Sequence, residues 1–598
     1  MWPIKLEESQ RQSRATIVLI TDPSASGPYY LDEIKRATDL NRIRGVQHGV
    51  YPVLLSGSHQ NLPYGLGPFQ AMDASQGGLR FVADRLVTQL RQPGRRSWED
   101  YNGLLKVGEY RVAYLSLLNA DAQAVAELDL SDITVALDRH PFHLPSIFRR
   151  SRAARGFSDE PCCRLSSYDR QAVDKLHLTF AETTYGDYLT SGEHLDDPMP
   201  GGGVRTLRDE VADLVHEGRH NLRDLTLTNI SGVGVFIITQ DNRLIISQHS
   251  KKSHVYPGRY TFSSSGVMKW GAYPNPFVEV IRKCYEEAHH QINPGSLRLL
   301  GFGADARKLY FQFSFLERTE EQSALVLARA PQEHHLESIP LELEPIIEHV
   351  LDNCWEPAAE ATLFTLSSQL LGGRQRIEDE LLKREAQWAR KQMVDEWDYR
   401  ANRPGLLPVM SVRYPEAQRK RTSQQYVRLV MRFIGSDIVD RRVLEVGCGV
   451  GRITEQLLKK AKYVKAIDLC DRMLEKAWER VPRVATLHAR VEFERWFAQD
   501  FRSGKRYDVS ICSLVLIHNV ADVEFAAVIS AMCRYSNTVF VFEDITPRRA
   551  TSPHTRLRTK EELERQFSLN GFSLENEKEI ALVHDRIAFM KFSRDHQR

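Results

Sequence analysis

At 598 residues the chain is too long for one hydrophobic core, and at about 100–200 residues per domain it should hold roughly three or four. Hydrophobic residues make up 42% and charged residues 26%, the mix of a soluble globular protein, and a formal charge of +2 with no basic block offers no clear nucleic-acid signal. The 8 cysteines are scattered without a C-x-x-C pair, which excludes a zinc ribbon or disulfide framework, and no apolar run approaches the roughly 20 residues of a membrane span.

The start of the chain, Met1 to Glu7, lacks the layout of a signal peptide, so the expected location is the cytoplasm. Ala15 to Ile20 is a β-branched strand, broken by Thr21 to Pro28 and followed by a helix through Tyr30 to Leu40. Gly49 to Leu55 is the next strand, and Gly78 to Arg91 has helical periodicity, so the spacing predicts a parallel sheet. Tyr29, Glu33 four residues on, and Ser24 or Ser26 before them resemble the second half of a Toll/interleukin-1 receptor (TIR) domain, a flavodoxin-like fold. The resemblance implies that Glu33 helps to cleave NAD between nicotinamide and ribose, where a carboxylate facing an oxocarbenium-like centre is chemically sensible. The family's first strand, first helix and nicotinamide-side loop would precede Lys5, so the expectation is either a start upstream of Met1 or a remnant without activity. A solvated glutamate on an amphipathic helix is the plain alternative for Glu33.

Gln92 to Tyr110 reads as a polar connector, Val112 to Leu118 as a strand, and Asp196 to Gly203 as a loop; no chemistry attaches to Arg111 through Gly203. Val233 to Thr239 and Leu244 to Gln248 are strands around an Asp241-Asn242 hairpin turn. A helix carrying Glu279, Arg282, Lys283 and Glu286 on one face follows, with Glu287 beside them. Clustered carboxylates next to an arginine suit Mg²⁺ and a diphosphate, with Glu286 and Glu287 as metal ligands. Arg282-Lys-Cys-Tyr-Glu-Glu287 resembles the R-E-U-x-E-E of a Nudix domain, with Gly266 or Gly271 as the opening glycine. Lys283 stands where a metal-binding glutamate belongs, His289 replaces the later glycine, and Pro274 falls at the early glutamate. A lysine there repels the cation that hydrolysis requires, so the resemblance implies nucleotide binding without cleavage, and hydrolysis only as an alternative. Such domains resemble sensor modules for nucleotide second messengers in bacterial defence proteins, which also use TIR effectors.

Glu378 to Arg400 is predicted as one long charged helix ended by Arg403-Pro-Gly405, either a connector or a lid over a bound acceptor; Tyr414, Pro415 and Tyr426 follow on what would be the acceptor side. Val443 to Val446 is a short apolar strand, Gly447 to Gly451 a turn, and Ile453 to Lys460 a helix, an arrangement that lets backbone approach a nucleotide closely. Tyr463 to Ile467 is a second strand ending at Asp468, whose carboxylate could hold ribose hydroxyls. The turn reads G-C-G-V-G with Glu445 ahead of it, not the G-x-G-x-x-G of dinucleotide sites. It resembles motif I of class I S-adenosylmethionine-dependent methyltransferases, a Rossmann-like fold, over roughly Arg441 to Phe592. The resemblance implies cofactor contacts from Glu445, Gly447, Gly449, Gly451, Asp468 and Met473. The acid that the family's third strand offers to adenine has no clear counterpart, and Glu492 is taken for it. A base is needed only for a protonated acceptor, and His518 and His554 are the residues for it. The plain alternative is a nucleotide-free α/β domain.

The expected whole is an α/β multidomain protein: a partial TIR-like domain (1–95), an α/β region (96–223), a Nudix-like domain (224–372), a helical connector or lid (373–430) and a methyltransferase domain (431–598). The first expectation for function is methylation of a small-molecule acceptor. The second is a nucleotide-sensing signalling protein with a TIR-type effector, and a Nudix-type hydrolase is the third. The sequence leaves self-association open.

Overall fold

The computed structural model describes residues 227–595 except 272, 332–333, 404, 411–415, 482–489, 547–553 and 583–584. Ahead of these it describes 104–117, 128–144, 160–172, 175–196, and short pieces at 15–20, 34–35, 49–54, 72–73, 98, 101, 206–208, 222–223 and 225. The chain divides into two compact units, Met1–Trp388 and Ala389–Arg598, the division falling within the helix Glu385–Ala401.

In the first unit, β1 (Ala15–Ile20), β2 (Gly49–Leu54) and β3 (Met72–Asp73) form a parallel sheet, as the spacing of the first two predicts. Ser24, Ser26, Tyr29 and Glu33 lie outside the described residues, as does the helix expected over Gly78 to Arg91. The largest sheet gathers β4 (Leu104–Val107), β5 (Tyr110–Ser116), β9 (Ser231–Ile238), β10 (Arg243–Gln248), β11 (Tyr260–Thr261), β12 (Ser264–Val267), β13 (Arg298–Asp305), β14 (Phe311–Arg318) and β15 (His335–Pro340). Between them in the sequence, β6 (Ile133–Leu137), β7 (Pro161–Ala172) and β8 (Lys175–Thr184) make a separate sheet. At the start of the stretch to which the sequence assigned no chemistry, β5 pairs with β13 and extends the large sheet.

Every residue of β9 is buried, because it lies mid-sheet, parallel to β14 and covered on both faces. Glycine is required twice there, since a Cβ on Gly232 would strike the Tyr310 hydroxyl at 1.7 Å and one on Gly234 the Phe262 ring at 2.4 Å. One face packs Phe236, Leu244, Ile246 and Trp355 against the helices Leu343–Asp352 and Pro357–Leu370. The helix Pro276–Ala288 starts on an Asn275 cap with proline in its first turn.

The second unit is a seven-stranded sheet of β16 (Arg442–Val446), β17 (Tyr463–Asp468), β18 (Val491–Arg495), β19 (Tyr507–Ser513), β20 (Ser536–Asp544), β21 (Phe572–Leu582) and β22 (Asp585–Arg594). Their order is β18-β17-β16-β19-β20-β22-β21, parallel except where β22 runs antiparallel to β20 and β21. Side chains alternate between two cores: Val443, Val464, Phe540 and Phe542 face the helix Glu416–Ile434, while Leu444, Val446, Val539 and Val541 face the helices Asp522–Tyr535 and Lys560–Ser568. Two buried faces explain why these strands read as continuous apolar runs. The strand order reverses between β16 and β19, and ligands of such sheets bind outside the carboxyl ends at that reversal.

The long helix predicted over Glu378 to Arg400 is two helices, Arg374–Leu382 and Glu385–Ala401. The break falls at Lys383 and Arg384, where no proline or glycine marks it. The helix after the glycine turn is also shorter than predicted, Thr454–Leu457.

Candidate active site

The glycine turn sits at the reversal. Gly447, Gly449 and Gly451 have φ of +69°, +53° and +73°, the left-handed region that side chains adopt only under strain. Space is as restrictive as conformation: a Cβ on Gly447 would lie 2.2 Å from Val515 Cγ2, and one on Gly451 3.0 Å from the Ala477 backbone. Glu445 is buried and accepts a 2.6 Å hydrogen bond from the Thr454 hydroxyl, tying β16 to the helix beyond the turn. Burial, assisted by Asp468, pushes its carboxyl up to about 8. Glu445 therefore braces the turn from behind.

Asp468 ends β17, and its two carboxylate oxygens accept the backbone N–H groups of Gly449 (2.9 Å) and Cys470 (3.1 Å). Burial raises the carboxyl to about 6 against the pull of those N–H groups. The carboxylate keeps capacity for a further donor. Met473 is buried beside Val450 and Cys470. Glu492 is not at this end of the sheet. It is an exposed residue early in β18, opposite Lys465, and pairs with that ammonium at 2.5 Å and with the Tyr463 hydroxyl. A charged pair on neighbouring strands explains its presence there.

His518 follows β19 in the short turn Leu516–His518. That turn is held by Glu543 at the end of β20, whose carboxylate accepts N–H bonds from Val515 (2.9 Å), Leu516 (2.9 Å) and Ile517 (3.3 Å). The His518 Nδ1 lies 3.0 Å from the His554 carbonyl oxygen, which can only accept, so Nδ1 carries the proton and Nε2 is left with a lone pair. Burial and the nearby Arg400 cation lower its pKa to about 4, so the ring is neutral at physiological pH. His518 and His554, 36 residues apart in sequence, are thus neighbours.

A family model described as "Methyltransferase domain" matches residues 443–537, the span from β16 into the start of β20. These residues form a methyltransferase domain. No curated protein matches the chain. Solved structures similar to it include magnesium protoporphyrin IX methyltransferase from Synechocystis PCC 6803 with bound SAH, 19% identical, covering 34% of this chain and 95% of that one at a TM-score of 0.29. The N-methyltransferase NodS from Bradyrhizobium japonicum WM9, with S-adenosyl-L-homocysteine, is 16% identical over 29% of this chain and 88% of its own, TM-score 0.26. The [4+2]-cyclase SpnF is 17% identical over 29% and 82%, TM-score 0.25.

The segment leading into the methyltransferase domain lies across its glycine turn. Arg390 pairs with Asp500 (2.8 Å) and Glu524 (3.2 Å), Trp397 stacks edge-on against His518 at 4.8 Å, and Asp398 pairs with Arg472 at 3.4 Å. Val409 Cγ1 would stand 2.9 Å from a Cβ on Gly449, and Val409, Leu406 and Trp397 pack on Val450, Cys470 and Met473. The bracing role of Glu543 and the contact of Val515 on Gly447 were not visible in the sequence, since each acts across strands of the sheet. Tyr414 and Pro415 lie outside the described residues, while Tyr426 is buried and bonded to Ser513 Oγ at 2.7 Å.

In the first unit, the helix Pro276–Ala288 does put its carboxylates on one face, but each has a protein partner. Arg282 bonds Glu279 and Glu286, Lys283 Nζ lies 3.9 Å from Glu286, and Glu287 accepts from Ser264 Oγ (2.9 Å) and Ser265 N (3.0 Å). Among the described residues, no three His, Cys, Asp or Glu side chains converge as a metal ion would need. His289 ends the helix at φ +48°, a left-handed backbone that glycine adopts without strain.

Proposed function

We propose that the second unit transfers a methyl group from S-adenosylmethionine to a small-molecule acceptor. The observation that carries this is Asp468, locked by the Gly449 N–H at the strand reversal with capacity left on its carboxylate for a further donor. The fit is supported by Gly447, Gly449 and Gly451, whose left-handed backbone keeps the turn bare of side chains. When bound, S-adenosylmethionine would supply an electrophilic methyl on a sulfonium sulfur. The chain's own work is placement: Asp468 would accept from a ribose diol, the glycine turn would admit backbone close to the ligand, and Met473 and Val450 would line the adenine side. His518 Nε2 would take the proton of an acceptor hydroxyl or amine, with Nδ1–H held by the His554 carbonyl. The segment from Arg390 to Val409 would exclude water from the reacting groups.

Calorimetric titration of the full chain with S-adenosylmethionine, beside Asp468→Ala, tests the reading. Binding that the substitution abolishes supports it, and no binding by the unaltered chain refutes it.

A second reading concerns the first unit, and the left-handed His289 at the close of the acidic helix favours it. A Nudix-like nucleotide site that binds without cleaving fits Lys283 beside Glu286. Mg²⁺-dependent turnover of a nucleoside diphosphate derivative would argue for hydrolysis instead. The TIR-like reading rests on Glu33, and loss of NAD consumption on Glu33→Ala is its test.

A further inference from the structure

Arg558 is buried, and its guanidinium is committed to the backbone of one turn. Nη1 donates to the Leu516 carbonyl (3.2 Å), while Nη2 donates to those of Asn519 (2.7 Å) and Val520 (3.2 Å). This is the turn that carries His518. Cζ lies 3.9 Å from the centre of the Phe525 ring, and the ion pair with exposed Asp522 is long at 3.4 Å and shared with Arg556. Arg558 stands directly before Thr559, which caps the helix Lys560–Ser568 in a capping box with Glu562, so the guanidinium is carried on a fixed backbone.

The same short segment reaches the turn again through its backbone. The Arg556 N–H donates to the Ile517 carbonyl at 2.7 Å, and the His554 carbonyl accepts from His518 Nδ1 at 3.0 Å. Glu543 takes the N–H groups of Val515, Leu516 and Ile517, while those of His518 and Asn519 close on Val515 and Leu516 within the turn. An anion thus holds N–H groups of the turn and a cation holds its carbonyl oxygens, in charge-assisted hydrogen bonds. The rigid fork of a guanidinium lets one side chain fix several carbonyls in a single geometry. Because the His554 carbonyl and the Arg558 fork lie on one segment, the tautomer of His518 and the shape of its turn are set together. Arg400 and Glu396, paired on the helix Glu385–Ala401, and His554 act electrostatically on the ring.

We propose that Arg558 is a positioning residue for His518: by holding the carbonyls of Leu516, Asn519 and Val520 it keeps Nδ1–H on the His554 carbonyl and leaves Nε2 as the base. This rests on the methyltransferase reading above. Without the fork, the buried carbonyls of Leu516 and Asn519 must find other donors, and the turn loses its register against His554. The imidazole is then free to take either tautomer and to meet water.

The test follows His518 by NMR in the full chain isotopically labelled at histidine, its signals assigned by their loss in His518→Gln, with thermal melts showing which variants fold. In the unaltered chain the ring should be the Nδ1–H tautomer and protonate only at about pH 4. Arg558→Gln should give a mixture of tautomers and raise the midpoint by roughly one to two pH units toward the usual value of about 6.5. Arg558→Lys, which keeps the charge but loses the fork, should fall between. A loss of stability alone moves neither tautomer nor midpoint in molecules that remain folded. If Arg558→Gln folds and His518 keeps its tautomer and midpoint, the proposal is overturned. Should that variant not fold, Arg558→Lys decides on the same readout, and an unshifted ring there overturns the proposal as well. Calorimetry with S-adenosylmethionine on the same samples separates the two readings. Binding of the cofactor beside an unshifted His518 refutes the positioning role and leaves the methyltransferase reading standing. An unaltered chain that binds no S-adenosylmethionine refutes that reading and takes the positioning role with it.

Discussion

Replacing Glu445 with glutamine tests whether a buried acid behind the glycine turn is held protonated. Its carboxyl is 3% exposed, bonded to Thr454 at 2.6 Å, and pushed from 4.5 to about 8 chiefly by burial. An acid whose folded value is raised stabilises the fold most below its unfolded value, and that stability drains away as pH rises toward the folded value. Each pH unit between the two costs about 1.4 kcal/mol, so from about pH 5 to about pH 7.5 the natural chain should lose roughly 3 kcal/mol at this one site. Glutamine has the shape of the protonated acid and does not titrate. Glu445→Gln should therefore match the natural chain at about pH 5 and exceed it by up to roughly 3 kcal/mol at about pH 7.5. Because the chain has more than one unit, a local readout is the right assay: amide hydrogen exchange of peptides spanning Arg442 to Leu457, measured at each pH. Protection that differs by the same amount at the two pH values would refute the reasoning, because the carboxyl would then be ionised throughout.

His289→Gly should stabilise the first unit by about 1 kcal/mol, seen as a higher melting temperature, since glycine adopts the observed left-handed backbone freely. Gly447→Ala should cost the second unit about 2–3 kcal/mol and remove S-adenosylmethionine binding, because a Cβ meets Val515 at 2.2 Å on a left-handed backbone; calorimetry and melting check the two effects together. His518→Gln should lower kcat by roughly a hundredfold with cofactor affinity unchanged. With its pKa lowered to about 4, His518 should impose no inflection on the rate between about pH 6 and 8, and the stability it provides should be lost only as pH falls from its ordinary value toward 4.

Much of the second unit was legible in the order of its residues because the signals there are local. A glycine that must take positive φ and an apolar run that must be buried on two faces act within a few residues. The same holds for Asp241-Asn242, where Asn242 takes φ +56° in the hairpin. Glu492 misled because an acid of suitable type and approximate spacing carries no mark of where along its strand it falls; Lys465 on the neighbouring strand accounts for it. The break at Lys383 is equally unmarked, as its residues are good helix formers and only packing decides where the helix stops.

By itself the sequence determined that a strand, a glycine turn, a helix and an acid would follow one another at Val443 to Asp468, since backbone conformation and burial pattern are properties of neighbouring residues. Only the tertiary structure decided that the strand order reverses beside that turn, and that His518 is kept neutral against the His554 carbonyl and Trp397. It likewise decided that Glu445 faces the interior. Protonation and pairing depend on what surrounds a group in space, and those surroundings come from parts of the chain far away along it.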